Sequence, residues 1–361
     1  MRLAYVGWVG FGNLGDDAIA EAVLPPLAPD EVVYAAHGPA DLRRVLGRGA
    51  GQRHLLLGGG TAIGRRNWRL VINAAGTVQA WRRPWFMIGA GVEDPGFGGR
   101  NSFSGAGELA KWRRTLRRFD RVTVRGPRSA ELLAGVGVEA AVVGDPALLL
   151  RPDNPRCPVG ATGTGTVGFA LGFGDDLWGG AQQRVLDAVT GAAREHVHHG
   201  GTVRLLVMND DDSAAARHVA EAVPEGAATA HRVHTSAEFF AALAGCDTLV
   251  SQRLHGAVLA AAANVPVIGL EYQPKCRDFM ASIAQDDLCL RCDTVTAAAL
   301  TDALRLVDAT RDLRRDTISH LVAGYRDALD AELDRIRAVA STPSRKEAAR
   351  ARPRTSEHSV S

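Results

Sequence analysis

The sequence predicts an α/β protein made of two Rossmann-like, doubly wound halves that face each other across a cleft. Short β-branched or aliphatic runs alternate with helical patterns through residues 1–150. A stretch at 151–166, RPDNPRCPVGATGTGT, has three prolines and no apolar periodicity and reads as a linker. A second alternating series of similar size then runs through residues 167–340. Strands separated by helices pair in parallel through right-handed crossovers, and two open sheets of this kind place ligands where they face each other.

In the first half, Leu3 to Trp8 reads as a strand, followed by a glycine-rich turn and a helix over Asp17 to Leu24. Further strands are expected at Val32 to Ala36, His54 to Leu57, Trp85 to Ile88, Arg121 to Val124 and Ala141 to Val143. In the second half, the expected strands are Val167 to Leu171, Val203 to Met208, Arg232 to His234, Thr248 to Ser251 and Val267 to Leu270. Helices are expected around Ala181 to His198 and from Ser213, Ala237 and His255. Asp316 to Val339 reads as a long amphipathic helix. Residues 341–361 are polar and arginine-rich, with the composition of a disordered basic tail.

A chain of 361 residues exceeds what one core usually serves, and 46% apolar with 23% charged residues is a globular balance. A net charge of +2, partly from the tail, speaks against a nucleic-acid partner. Cys157, Cys246, Cys276, Cys289 and Cys292 are scattered, and the lone pair Cys289/Cys292 reads as half-buried thiols of a reducing compartment, not as a zinc or redox site. Met1 to Val6 runs directly into a strand, which leaves no room for a leader. The longest apolar stretch, Gly256 to Leu270, is broken by Asn264 and Pro266 and falls short of the ~20 residues of a membrane span, so the expected location is the cytoplasm.

Four motifs carry chemistry. In the first, Gly10, Gly12 and Gly15 formally satisfy the dinucleotide fingerprint, but Asp16 and Asp17 follow at the helix start and would repel a pyrophosphate. The second strand also ends at His37, where a ribose-binding acid would be needed. Asp16 or Asp17 either caps the helix or meets an acceptor, one of them as the base for a hydroxyl proton, with Gly12 and Asn13 in the same turn. The second motif, HLLLGGG, opens a buried strand into Gly58, Gly59 and Gly60, which allow a ligand to approach closely. The third, VTVRGPRS, puts Arg125 at a strand end and offers Ser129 or the preceding turn as a helix cap, although a surface arginine is the commoner fate. In the fourth, a strand delivers Arg253 and His255 to the first turn of a helix, where backbone N–H groups and the dipole attract anions. Tyr272 and Lys275, after the next strand, complete that pocket. The run Asp210-Asp211-Asp212 reads as a helix-start cap, not a metal site.

In order along the chain, GFGNLGDDAI, LLLGGG, VTVRGPRS, VVGDPALLL and SQRLHGAVLAAAANVPVIGLEYQPK resemble the motifs of the polysaccharide pyruvyl transferase family. The resemblance implies two domains similar to the glycosyltransferase B fold and phosphoenolpyruvate bound mainly by the second half. It also implies transfer of pyruvate, as a cyclic ketal, onto two hydroxyls of a sugar, glycan or lipid-linked saccharide. Arg253 and His255 would then contact phosphoenolpyruvate and Lys275 would lie nearby. Relatives often carry an acidic residue after the arginine of the third motif, where this chain has Gly126.

An enol phosphate becomes electrophilic once its methylene carbon is protonated, so His255 is the expected acid. Arg253 is the anion holder, Lys275 the neutraliser of departing phosphate, and Asp16 or Asp17 the base. No metal or other cofactor is required; phosphoenolpyruvate is a co-substrate. The competing readings are a nucleotide-sugar glycosyltransferase of the same architecture and a catalytically silent sugar-phosphate binding protein. Oligomeric state is not encoded legibly, and a homo-oligomer is admitted.

Overall fold

The computed structural model describes residues 1–35, 53–97, 107–152, 165–172 and 182–342. His37, Cys157, most of the expected linker and nearly all of the expected tail lie outside these residues.

The first half runs β1 (Arg2–Val6), α1 (Leu14–Leu27), β2 (Glu31–Ala35), β3 (His54–Leu57), β4 (Thr61–Ile63), α2 (Arg66–Gln79), β5 (Trp85–Met87) and β6 (Gly91–Val92). It continues with α3 (Glu108–Leu116), β7 (Thr123–Val124), α4 (Pro127–Ala134) and β8 (Ala141–Val142). Its main sheet is parallel in the order β2-β1-β3-β5, and the small pairs β4-β6 and β7-β8 lie beside it. All four residues of β3 are buried, the signature of a strand covered on both faces.

The second half runs β9 (Thr166–Ala170), α5 (Gln182–His198), β10 (Thr202–Val207), α6 (Ser213–Glu221), β11 (Ala228–Arg232), α7 (Ser236–Leu243) and β12 (Cys246–Ser251). Then follow α8 (Leu254–Ala262), β13 (Val267–Glu271), α9 (Pro274–Ser282), β14 (Cys289–Arg291) and α10 (Ala297–Ser341). Six parallel strands stand in the order β11-β10-β9-β12-β13-β14, reversing direction of growth at β9 as doubly wound sheets do. After α8, Asn264 takes a left-handed φ of 58°, which asparagine tolerates, and turns the chain through Pro266 into β13.

Several expectations are corrected. β1 stops at Val6, and α1 begins three residues before Asp17 because Asn13 caps it. Strand β7 holds only Thr123 and Val124 of the expected four residues. The edge strand β11 lies at Ala228–Arg232, four residues before its expected start; its exposed Thr229 to Arg232 carry no apolar signal. Cys289 and Cys292 are buried where half-burial was expected, and burial pushes both thiols well above their ordinary range.

The 45-residue α10 is far longer than the expected 316–339 and reaches back to the first half. Arg326 donates to the carbonyls of Leu148, Leu150 and Ala262 at 2.7, 3.0 and 2.9 Å. Glu332, fully enclosed, accepts from Arg121 at 3.1 Å and from Arg335. One apolar core also runs through both halves, joining Tyr5 and Ile19 to Leu254 and Val258. The two sheets are thereby held as walls of a single cleft. Among the described residues, no helix is long and apolar enough to cross a membrane.

Candidate functional site

The cleft, of about 330 Å³, opens where the carboxyl ends of β1 and β3 face those of β12 and β13. Its size falls within the range of small-ligand sites, roughly 300–1,000 Å³.

On the wall formed by the second half, β12 ends at Ser251 and α8 starts at Leu254, so Arg253 stands at the N-cap position with extended backbone. Its guanidinium grips Asp212: Nε donates to Oδ2 at 3.0 Å and Nη2 to Oδ1. This overturns the cap reading of the acidic run. Asn209 caps the short 3-10 turn at Asp210–Asp212, while Asp212 is 1% exposed and turned towards the arginine. Asp212 was therefore missed as the residue that orients Arg253; its sequence context gave no signal beyond charge.

His255 follows two residues later. Its Nε2 lies 3.7 Å from Oδ2 of the buried Asp145 and has no hydrogen-bond partner among the described residues. Burial pushes its pKa down to about 4, Arg125 and Lys275 push the same way, and Asp145 opposes them. At that pKa the imidazole is neutral at physiological pH. Lys275, at the start of α9, rests with its Nζ 4.8 Å from the ring centre of Tyr272. Burial, then the neighbouring Arg65, lowers its pKa to about 8.

Opposite stands the glycine turn. Asn13 Oδ1 accepts from Gly15 N at 3.2 Å, capping α1, and Asn13 Nδ2 donates to Asp16. Neither Asp16 nor Asp17 caps the helix, so that alternative is set aside. Asp16 lines the cleft, and burial raises its pKa to about 7, with Asp17 and Asp145 adding and Lys275 opposing. Asp17 instead accepts from Gly10 N at 2.7 Å and, with Gly12, lines an adjoining cavity. At Gly15 a Cβ would sit 2.0 Å from Nδ1 of His255, so the third glycine of the turn makes room for the histidine of the other half. Gly59 and Gly60 hold φ of +92° and +69°, and a Cβ on Gly60 would lie 3.2 Å from Asp16 Oδ1.

Arg125 is 1% exposed, not at the surface. It donates to Asp145 Oδ2 and Thr61 Oγ1, both at 3.4 Å, and its side chain lines the cleft floor. Asp145 thus faces a side chain from each half, the guanidinium of Arg125 and the imidazole of His255. The expected cap of α4 by Ser129 or the turn is replaced: Asp278 of the second half accepts from Arg128 N at 2.9 Å and from Ser129 Oγ at 3.0 Å. A Cβ on Gly126 would sit 2.3 Å from that carboxylate, so the glycine leaves room for the acid that α9 brings against α4.

The cleft therefore gathers Asn13, Asp16, Gly59, Gly60 and Arg125 from one half with Arg253, His255, Tyr272 and Lys275 from the other. Sequence reasoning missed Asp145, although its motif was read, and Arg65, which also lines the cleft and pairs with Glu93 at 2.8 Å. Nothing in the doublet Arg65-Arg66 distinguishes an inward residue from an outward one.

Solved structures of similar architecture include the UDP-GlcNAc 2-epimerase of Neisseria meningitidis (11% identity, 95% of this chain and 100% of that one, TM-score 0.56). The MnaA–UDP co-structure from S. aureus is similar at 11% identity, 93% and 94% coverage and TM-score 0.59. A glycosyltransferase from Rickettsia africae is similar at 9% identity, 95% and 99% coverage and TM-score 0.54. These likenesses establish the fold, two Rossmann-like halves in the glycosyltransferase B arrangement. No curated protein matches the chain in sequence. The family model for polysaccharide pyruvyl transferases, however, matches residues 13–274, a span from the glycine turn to the residue before Lys275. That match covers most of the chain and takes in both walls of the cleft: this protein belongs to the polysaccharide pyruvyl transferase family and is a transferase.

Proposed function

We propose that the enzyme transfers pyruvate from phosphoenolpyruvate onto two hydroxyls of a sugar or glycan, forming a cyclic ketal and releasing phosphate. The observation that carries this reading is the asymmetry of the cleft. Arg253, His255 and Lys275 line one wall; on the other, Arg65 and Arg125 are paired with Glu93 and Asp145, and Asp16, a carboxyl that titrates near neutrality, faces the first wall. A small donor bearing a carboxylate and a phosphate suits the first wall, and a polyhydroxyl acceptor suits the second.

In this scheme the donor's negative charge raises the pKa of His255 on binding, so the imidazole takes up a proton as the site fills. His255 gives that proton to the methylene carbon, and the central carbon becomes electrophilic. Asp16 removes the proton of the first hydroxyl as its oxygen bonds to that carbon. The carbon–oxygen bond to phosphate breaks, and the second hydroxyl closes the ring. One hydroxyl proton replaces the one spent on the new methyl group and the other leaves on phosphate, so the reaction balances without redox change. Lys275, with its lowered pKa, and Arg253 stabilise the departing phosphate.

The test is incubation with phosphoenolpyruvate and a panel of sugars, with phosphate release and the mass of the products followed together. A product carrying pyruvate less water, formed by wild type and lost in a folded His255→Ala variant, supports the reading. Near-wild-type phosphate release by that variant removes the histidine from the mechanism.

A further inference from the structure

Beside the cleft lies a second cavity of about 410 Å³ whose walls also come from both halves: Phe11, Gly12 and Asp17 from one, Asn209, Asp211 and His234 from the other. The two cavities adjoin at Met208, which lines both. Between them stands the glycine turn, held across the gap by Asn209 Nδ2, which donates to Gly12 O at 3.2 Å.

On this turn the rings of Trp8 and Phe11 meet with centres 4.5 Å apart and planes tilted by 34°. Trp8 lines the cleft and Phe11 the second cavity, so one aromatic surface continues from the first space into the next. Phe11 is 51% exposed. A single exposed apolar residue is common, but this one is the outer member of a ring pair whose inner member, Trp8, lines the cleft. Aromatic faces carry negative charge density that attracts the C–H edges of a pyranose. Around the ring, Asp211, Asn209 and His234 offer the acceptors and donors that hydroxyls pair with.

The charge of the cavity narrows the occupant. Arg232 is paired with Asp210. Asp17 and Asp211 then leave the cavity negative, a poor seat for a phosphate, a diphosphate linker or an acidic sugar.

We infer that this cavity is a subsite for a neutral saccharide unit, the neighbour of the sugar ring that enters the cleft, so that the acceptor is an oligosaccharide end and not a free monosaccharide. The direction of the chain, with its terminal ring near Asp16 and its next ring on Phe11, rests on the proposed function.

Calorimetric titration of neutral disaccharides built from glucose, mannose and galactose, beside the matching monosaccharides, tests the subsite without any turnover. At least one disaccharide is expected to bind about tenfold more tightly than its terminal monosaccharide, and Phe11→Ala and Asp211→Asn each to erase most of that gain. Phosphoenolpyruvate affinity should stay unchanged in both variants. If every disaccharide binds no better than its monosaccharide, or the gain survives both substitutions, the subsite is overturned. The parallel assay with phosphoenolpyruvate separates the two claims. A disaccharide preference that depends on Phe11, with no pyruvyl product, keeps the subsite and refutes the proposed function. Pyruvyl transfer without the preference does the reverse.

Discussion

Gly15 and His255 meet across the two halves, and a single methyl group on the glycine would fall 2.0 Å from the imidazole Nδ1. Gly15 lies in the first turn of α1, where alanine would by propensity favour the helix by about 1 kcal/mol. Packing reverses that preference. Gly15→Ala is expected to displace the imidazole and lower kcat by about 100-fold while the protein remains folded, because misplacement by an ångström has costs of that order. Steady-state kinetics with a thermal melt check it; wild-type kcat in a folded variant would show that the histidine's position is not critical.

Asp145 Oδ2 lies 3.7 Å from His255 Nε2 and 3.4 Å from Arg125 Nη1. Its Oδ1 also accepts from Ala147 N at 3.0 Å, a bond that asparagine can keep. Asp145→Asn therefore removes charge with little change of shape. Without that charge the His255 pKa drops further, so the alkaline limb of the kcat profile, where the general acid loses its proton, should move to lower pH and kcat should fall roughly 10- to 100-fold. A lower melting temperature with an unmoved pH profile would assign Asp145 a structural role only.

Asp16 binds its proton more tightly in the folded protein, with a pKa of about 7, than in the unfolded chain. Its contribution to stability is therefore complete below about pH 4 and is lost as pH rises through about 7. His255, shifted down to about 4, acts in the opposite sense between about pH 4 and 6.5 and is common to both proteins compared. Asp16→Asn should thus gain on wild type as pH rises, by about 2–4 °C in melting temperature between pH 5 and 8, while losing about 100-fold in activity. Melts of both proteins at the two pH values decide it, a constant difference meaning that the carboxyl titrates normally.

Asp278 caps α4 from the opposite half, and Gly126 leaves it the space. Asp278→Ala is expected to cost about 1–2 kcal/mol through the lost cap and the stranded Ser129 hydroxyl. Gly126→Ala should weaken the same junction by collision. Denaturant unfolding of both variants is the check, and stability within error of wild type for both would rule out the junction.

The alternation of apolar runs and helical patterns made the two-sheet fold legible, and Arg253, His255, Lys275 and Asp16 were visible because each sits where a strand or turn enters a helix. Pairing between halves was not legible. That Asp212 faces Arg253, that Asp278 replaces a local cap and that Asp145 lies beside His255 follow from how the lobes meet, which local periodicity does not encode. The choice between Asp16 and Asp17 was open for a related reason: adjacent helical residues point about 100° apart, and only the position of the opposite wall decides which one enters the cleft. The weak edge strand β11 and the two-residue β4–β6 ladder lack an alternating apolar pattern and were misplaced or missed.

The central claim is that the cationic wall recognises phosphoenolpyruvate, and calorimetric titration of the intact protein with that compound, beside UDP-N-acetylglucosamine and GDP-mannose, tests it most directly. The account predicts saturable binding of phosphoenolpyruvate that Arg253→Ala weakens by at least about tenfold, with no binding of either nucleotide sugar. Tight binding of a nucleotide sugar, with none of phosphoenolpyruvate, would contradict it.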